Sequence, residues 1–283
     1  MNSIKTVLLL GAMSGFLLFM GESFGGRQGL LLALGGAVLM NFFSYFFSEK
    51  MALTMSGAQR VSETEHAEVY RRLSPLVARL TQKMGLPLPK LWVLPEESPN
   101  AFATGRNPAH SSIAVSAGLL EVMNDSELEA VVAHELGHVL HRDILISSVA
   151  ATMGAAITGL ARFGMFFGGR RDDDGGSRGG GIFMLILAPI AALLIQMAVS
   201  RTREYSADAA AAQYTGSPMG LVNALGKLDR WSKQIPMEAP PAMSHMYIFP
   251  PMLGGLGRLF STHPTTEQRI AALLGQGAAG QGS

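Results

Sequence analysis

No cysteine occurs in the 283 residues. That absence excludes disulfides, thiolate catalysis and cysteine-type structural zinc, so any metal must rest on histidine and carboxylate. Charge is scarce as well. Asp, Glu, Lys and Arg together make up 15% of the chain, against roughly 25% in ordinary soluble proteins. The formal net charge is only +1, and no basic stretch is interleaved with aromatics, so nucleic acid is not indicated as a partner. What is there is apolar: 48% hydrophobic residues and a mean hydropathy of +0.26, a balance that leans towards the membrane. The length allows one or two domains.

Four apolar runs account for that balance. The first, 6–20, follows Lys5, and Gly21-Glu22-Ser23 after it offers no clear small-x-small site for signal cleavage. The second, 29–47, would make about 28 Å of helix, close to the hydrocarbon thickness of a bilayer. Two adjacent runs predict a transmembrane hairpin over 1–47. The third and fourth, 144–161 and 182–200, predict a second hydrophobic hairpin over 144–200. Between them lies a Gly-rich linker with Arg170, Arg171, Asp172, Asp173, Asp174 and Arg178, which reads as a flexible, solvated loop. Lys and Arg near the ends of the runs are divided too evenly to orient the protein.

The stretches between and after the pairs have the composition of a soluble domain. In 48–143, Ser62 with Glu65 reads as a capping box opening an amphipathic helix through Tyr70, Leu73, Val77 and Leu80 to Met84, with Gly85 closing it. Residues 90–94, 100–105 and 113–116 read as short strands, with a turn at Arg106-Asn107-Pro108. In 201–275, helices are expected to about Tyr214, from 218 to 231 and from 264 to 274. A loop with five prolines over 236–251 separates the last two, and 276–283 reads as a flexible tail. The fold class is mainly α, with a small α+β unit and about four membrane helices.

The chemistry concentrates in Ala133-His134-Glu135-Leu136-Gly137-His138. Asn124 or Asp125 caps a helix here, with Glu127 or Glu129 to close the box, and Leu128, Val131, Val132, Leu136, Val139 and Leu140 recur at helical spacing. His134 and His138 are four apart, so both imidazoles leave one face, an arrangement that suits Zn²⁺. Glu135 lies at the edge of that face, within reach of a water rather than of the metal. His-Glu-x-x-His arises by chance in roughly one chain of this length per hundred, so a third ligand is required. His141 is about 10 Å along the helix from His134, and a metzincin would need Gly at 141 and His at 144, where this chain has His141 and Ile144. Among the later glutamates, Glu238 falls in the proline-rich loop and Glu267 precedes Arg269 as an expected solvated pair. Glu204 instead shares a helix face with Asp208, which supplies one ligand and a second carboxylate to hold a histidine N–H. Two apolar runs separate His138 from Glu204, an even number, so both emerge on one side of a membrane.

In order along the chain, the two N-terminal runs, Asn100 to Gly105, His134 to His138, the two further runs, Glu204 to Asp208 and Ser261-Thr262-His263-Pro264 resemble the HtpX-type membrane zinc endopeptidases, of the wider group that includes the CAAX prenyl endopeptidases. The resemblance spans nearly the whole chain. It implies a gluzincin-like peptidase domain, made of 48–143 and 201–275, on the cytoplasmic face of a bacterial inner membrane. It also implies one Zn²⁺ per chain, held by His134, His138 and Glu204, with Glu135 as base and Asp208 behind the ligands. The substrates implied are polypeptides, chiefly misfolded or damaged membrane proteins, cleared under stress. A strand over Asn100, Ala101, Phe102, Ala103 and Thr104 is placed to pair with an extended peptide. His263 is the leading candidate to stabilise the tetrahedral intermediate, with Tyr205, His245 and Tyr247 behind it. The alternative is a zinc-regulated membrane scaffold or carrier without protease activity. The presence of Glu135 and the lack of ionisable residues within the apolar runs argue against it.

Overall fold

The computed structural model describes residues 2–154, 200–234 and 264–275. Most of the second hydrophobic pair, its Gly/Arg/Asp linker, the proline-rich loop, His245, Tyr247, His263 and the tail lie outside the described residues.

Helix α1, Asn2–Phe46, is broken at Gly26, whose φ of 55° and ψ of −145° are not helical. The chain doubles back there, so that Asn41 Nδ2 donates to Ser14 Oγ at 2.9 Å across the two arms. The arms Thr6–Ser23 and Gly25–Phe46 are each long and apolar enough to cross a membrane. Their outer faces leave Val7, Leu8, Phe19, Leu31, Leu32 and Val38 exposed, a continuous apolar surface of the kind a bilayer covers. They are the two such helices among the described residues.

Helix α2 (Ser48–Met55) leads into β1 (Gln59–Val61), then α3 (Ala67–Met84). The Ser62–Glu65 pair is real but does a different job from the one its pattern predicts. Ser62 Oγ accepts from Glu65 N at 3.0 Å, while Ser62 N donates to Glu65 O at 2.8 Å. The two bonds close a turn, and the helix starts only after His66, held in the left-handed region at φ 54°.

Strands β2 (Lys90–Leu94), β3 (Ala101–Asn107) and β4 (His110–Ser116) complete a four-stranded sheet in the order β1-β2-β4-β3. β2 and β4 run parallel, and the other two pairings are antiparallel. Strand β1 has no counterpart in the sequence reading, because three residues are too few to show alternation. The β3–β4 turn falls at Pro108-Ala109, where Asn107 Oδ1 accepts from His110 N at 3.0 Å. Arg106 lies 5.5 Å from the centre of the Phe46 ring, tying this hairpin to the end of α1.

Helix α4 (Ala117–Val122) precedes the central helix α5 (Asp125–Leu140). Asn124 caps α5 as a full box: its side chain accepts from Glu127 N at 3.0 Å, and Glu127 returns a bond to Asn124 N at 2.9 Å. The described part of the next helix, α6, is Ile144–Gly154. After it come α7 (Arg201–Thr215), α8 (Met219–Gln234) and α9 (Thr266–Leu273). Leu128, Val131, Val132, Leu136 and Val139 of α5 are buried against Leu73, Val77 and Leu80 of α3, Ile113 and Val115 of β4, and Leu221, Leu225 and Leu228 of α8. Each such side chain contributes about 1.5–3 kcal/mol. A separate cluster packs Leu9 and Met13 of α1 on Ile146, Val149 and Met153 of α6, so the membrane hairpin meets the domain through the helix that follows α5.

Candidate metal centre

The site is made by two helices pressed unusually close. A side chain at Gly137 would bring its Cβ within 3.0 Å of Ala207 Cα, so the glycine inside the histidine motif is what lets α7 lie on α5. That contact carries Glu204 and Asp208, one turn apart on α7, up to His134 and His138. His134 Nε2 lies 3.2 Å from His138 Nε2. Glu204 reaches both, with Oε2 at 3.8 Å from His134 Nε2 and Oε1 at 3.7 Å from His138 Nε2. One donor atom from each of the three residues lies within 4.8 Å of the others, a group able to hold a metal ion.

The surroundings of the two rings fix how they present themselves. His134 Nδ1 lies 2.9 Å from Asp208 Oδ1, and His138 Nδ1 lies 3.3 Å from Asp143 Oδ2. Each carboxylate is placed to accept an Nδ1–H, and the rings turn both Nε2 atoms towards one another beside the Glu204 carboxylate. The donor set of two imidazoles and a carboxylate fits a divalent transition metal. The two rings differ in their titration. Burial acts to lower the pKa of His138, but the Asp143 hydrogen bond and the charges of Glu204, Glu135 and Asp143 outweigh it and push it up to about 9. His134 goes the other way, lowered by burial and by the Arg269 guanidinium.

Glu135 is 3% exposed and reaches the sheet edge. Its Oε2 accepts from Ala103 N at 2.8 Å. Burial raises its pKa to about 7, with the Glu204 charge adding to the rise and the His138 charge and Ala103 N–H opposing it.

Two members of the cluster were not visible to sequence reasoning. Arg269 of α9 is 4% exposed, with Nε at 2.9 Å from Asp208 Oδ2 and Nη2 at 2.6 Å from Oδ1. This corrects the expected solvated Glu267–Arg269 pair: Glu267 is exposed, while Arg269 turns inward and holds Asp208 well below the usual carboxylate range despite its burial. The C-terminal helix is thereby locked onto the centre. Asp143 arrives by a backbone device. Arg142 adopts φ 58°, Arg142 N donates to Val139 O at 3.1 Å and Asp143 N to His138 O at 2.8 Å. That is a Schellman ending of α5, and it folds Asp143 back over His138.

Of the expected edge strand, Ala103 meets Glu135, Asn100 bonds Ser116 and Glu96, Ala101 lies in the core, Phe102 packs with Leu53, Leu94 and Ala114 and Thr104 bonds Ser148. Tyr205 is partly buried on α7. His263 falls outside the described residues, as do His245 and Tyr247.

Peptidase family M48 matches residues 67–276, which includes every member of this cluster. The chain belongs to that family. Its relatives include the Protease HtpX homolog of Desulfatibacillum aliphaticivorans, 51% identical over 281 residues that cover 97% of this chain and 89% of that protein. The Protease HtpX homolog of Ralstonia pickettii (strain 12J) is 48% identical over 285 residues, covering 99% and 98%. Among solved structures, the crystal structure of S. mikatae Ste24p is similar at a TM-score of 0.47 and 20% identity, over 96% of this chain and 65% of that one. The chain is a membrane metallopeptidase, and its substrates are polypeptides. The scaffold or carrier alternative has no support.

Proposed function

We propose that the chain is a zinc endopeptidase in which His134 Nε2, His138 Nε2 and a Glu204 oxygen hold one Zn²⁺. The observation that carries this reading is the convergence of those donors within 4.8 Å. Two nitrogens each about 2.0–2.1 Å from one tetrahedral ion stand roughly 3.3 Å apart, close to the 3.2 Å between the two Nε2 atoms. Zinc bound there would acidify a water and polarise the scissile carbonyl. Glu135 handles the proton: a buried carboxylate with a pKa of about 7 takes it as the peptide is attacked and returns it to the leaving amine. Asp208 and Asp143 keep each ring in the tautomer that offers Nε2, and Arg269 steadies Asp208.

The peptide lies along β3. Ser116 N donates to Asn100 O at 2.8 Å, so the even-numbered residues pair with β4 and the odd-numbered ones turn their backbone groups outward. Ala103 N–H serves Glu135, and the outward backbone groups of Ala101 and the C=O of Ala103 are the ones assigned to an extended chain. Asn100 adds a side-chain oxygen that is buried without a hydrogen-bond partner, suited to a substrate amide. Recognition through backbone groups tolerates many sequences, as removal of misfolded or damaged membrane proteins under stress requires. His263, just before Pro264, is the proposed donor to the tetrahedral intermediate.

The domain reads as facing the cytoplasm from a bacterial inner membrane. The hairpin 1–47 and a second pair within 144–200 supply about four spans, with the peptidase split between 48–143 and 201–275. The test is metal analysis beside a peptide-cleavage assay on the detergent-purified full chain. Chelation should abolish cleavage and zinc should restore it. Glu135→Gln should keep one zinc per chain and lose nearly all activity; a zinc-loaded Glu135→Gln enzyme that cuts normally would sink the mechanism.

A further inference from the structure

Ser148 lies in the middle of an apolar helix, yet its hydroxyl is fully used. It donates to Ile144 O at 2.7 Å. Because its one proton is spent there, the 2.7 Å contact with Thr104 Oγ1 must be donated by Thr104. Gly105 N donates to the same oxygen at 3.2 Å. One donor and two lone pairs therefore all have partners, and Ser148 and Thr104 are both completely buried.

The position of this knot is what gives it meaning. Backbone groups two residues apart on a strand point the same way. Ala103 N–H and Gly105 N–H are consecutive outward amides of the edge strand β3. The first holds Glu135 of α5, and the second is held by Ser148 of α6. Two successive helices thus pin one strand edge at adjacent points, and α6 is the helix that packs on the membrane hairpin through Ile146, Val149 and Met153.

We infer that Ser148, acting with Thr104, is a positioning residue for peptide hydrolysis: it anchors β3 to α6 so that Ala103 N–H holds the Glu135 carboxylate in its working place. The inference rests on the reading of Glu135 as the base. Loss of the anchor lets the strand edge drift, and displacements of about 1 Å near a reacting group cost up to a hundredfold in rate. The effect should fall on turnover and not on zinc content, because the metal ligands belong to α5 and α7 and are not touched by the knot.

The experiment uses the full chain with zinc bound and an unstructured fluorogenic peptide, comparing Ser148→Ala, Thr104→Val and Thr104→Ser. Ser148→Ala and Thr104→Val should retain one zinc per chain. Their kcat should fall by about tenfold to a hundredfold, more for Ser148→Ala, which strands the Gly105 N–H. Thr104→Ser keeps the hydroxyl and should restore kcat to within about twofold. Hydrogen exchange at the Ala103 amide should quicken in the two impaired variants. Unchanged kcat and unchanged Ala103 protection in both would overturn the inference. So would losses that follow zinc content or folded fraction, with Thr104→Ser no better than Thr104→Val. Glu135→Gln run alongside separates the two levels: if it still cuts, the base assignment fails, whereas an inactive Glu135→Gln beside a fully active Ser148→Ala condemns only the anchor.

Discussion

Helices α1 and α5 are both rich in apolar side chains, and they use them in opposite ways. The two arms of α1 leave Val7, Phe19, Leu32 and Val38 exposed, with Leu32 at 79%. Along α5, Leu128, Val131, Val132, Leu136 and Val139 are wholly covered. The arms meet one another and α6 along a narrow stripe and offer the rest of their surface to lipid. α5 is packed between α3, the sheet, α7 and α8, and in that packing it carries two imidazoles and a carboxylate. Lipid tolerates an apolar surface of almost any shape, so α1 is constrained by composition. A packed protein interior tolerates neither voids nor overlaps, and unpaired polar groups there are costly, so α5 is constrained residue by residue.

Substitutions should respect that contrast. The largest effect is expected at the ligands: Glu204→Ala should lose stoichiometric zinc and fall to background cleavage, as read by metal analysis and peptide assay. Nearly as damaging should be Gly137→Ala. A single methyl there meets Ala207 Cα at 3.0 Å, forcing α7 outward. Overpacking of this kind costs about 1–3 kcal/mol, and the displaced ligand helix should lower activity by roughly a hundredfold. If Gly137→Ala retained full activity and stability, close contact between α5 and α7 would not be what assembles the site. Third comes Asp208→Asn, expected to weaken zinc affinity by about 10–100-fold in competition with a chromophoric chelator, while the protein still folds.

On the membrane side the same kinds of change should matter differently. Leu32→Asp should impair membrane insertion by about 3 kcal/mol on translocon scales, seen as a larger fraction extracted by carbonate, yet leave zinc content and peptide cleavage in detergent near normal. The smallest effect belongs to Gly36→Ala. No atom lies within 4 Å of a Cβ added there, so the same methyl that disrupts α7 at Gly137 should leave stability, zinc and activity unchanged. A measurable loss from Gly36→Ala would mean that this face of the hairpin is covered by protein rather than lipid.

Legibility in the sequence followed the range of the interactions. The box at Asn124 and Glu127, the imidazoles of His134 and His138 on one face, and the shared face of Glu204 and Asp208 all depend on residues within one turn of each other. Their pattern therefore survives in a linear reading. Ser62 and Glu65 show the limit even there, since the bond from Glu65 N to Ser62 Oγ serves a turn as well as a helix start, and which one results depends on whether the next residues continue as helix. Arg269 was misread as half of an exposed pair because a guanidinium beside a glutamate looks solvated until α9 is seen docked on α7.

By itself the sequence determined the apolar arms, the central helix with its cap, the face on which the imidazoles stand, and the pairing of Glu204 with Asp208, because each follows from helical period and composition alone. Tertiary structure decided everything that joins distant segments. It set α7 against α5 through Gly137 and Ala207, brought Arg269 to Asp208 across 61 residues, and turned Asp143 over His138 by the left-handed Arg142. It also spent two outward amides of β3 on Glu135 and Ser148. The physical reason is that periodicity prescribes which face a side chain occupies, but only close packing of one element on another prescribes which atom it meets.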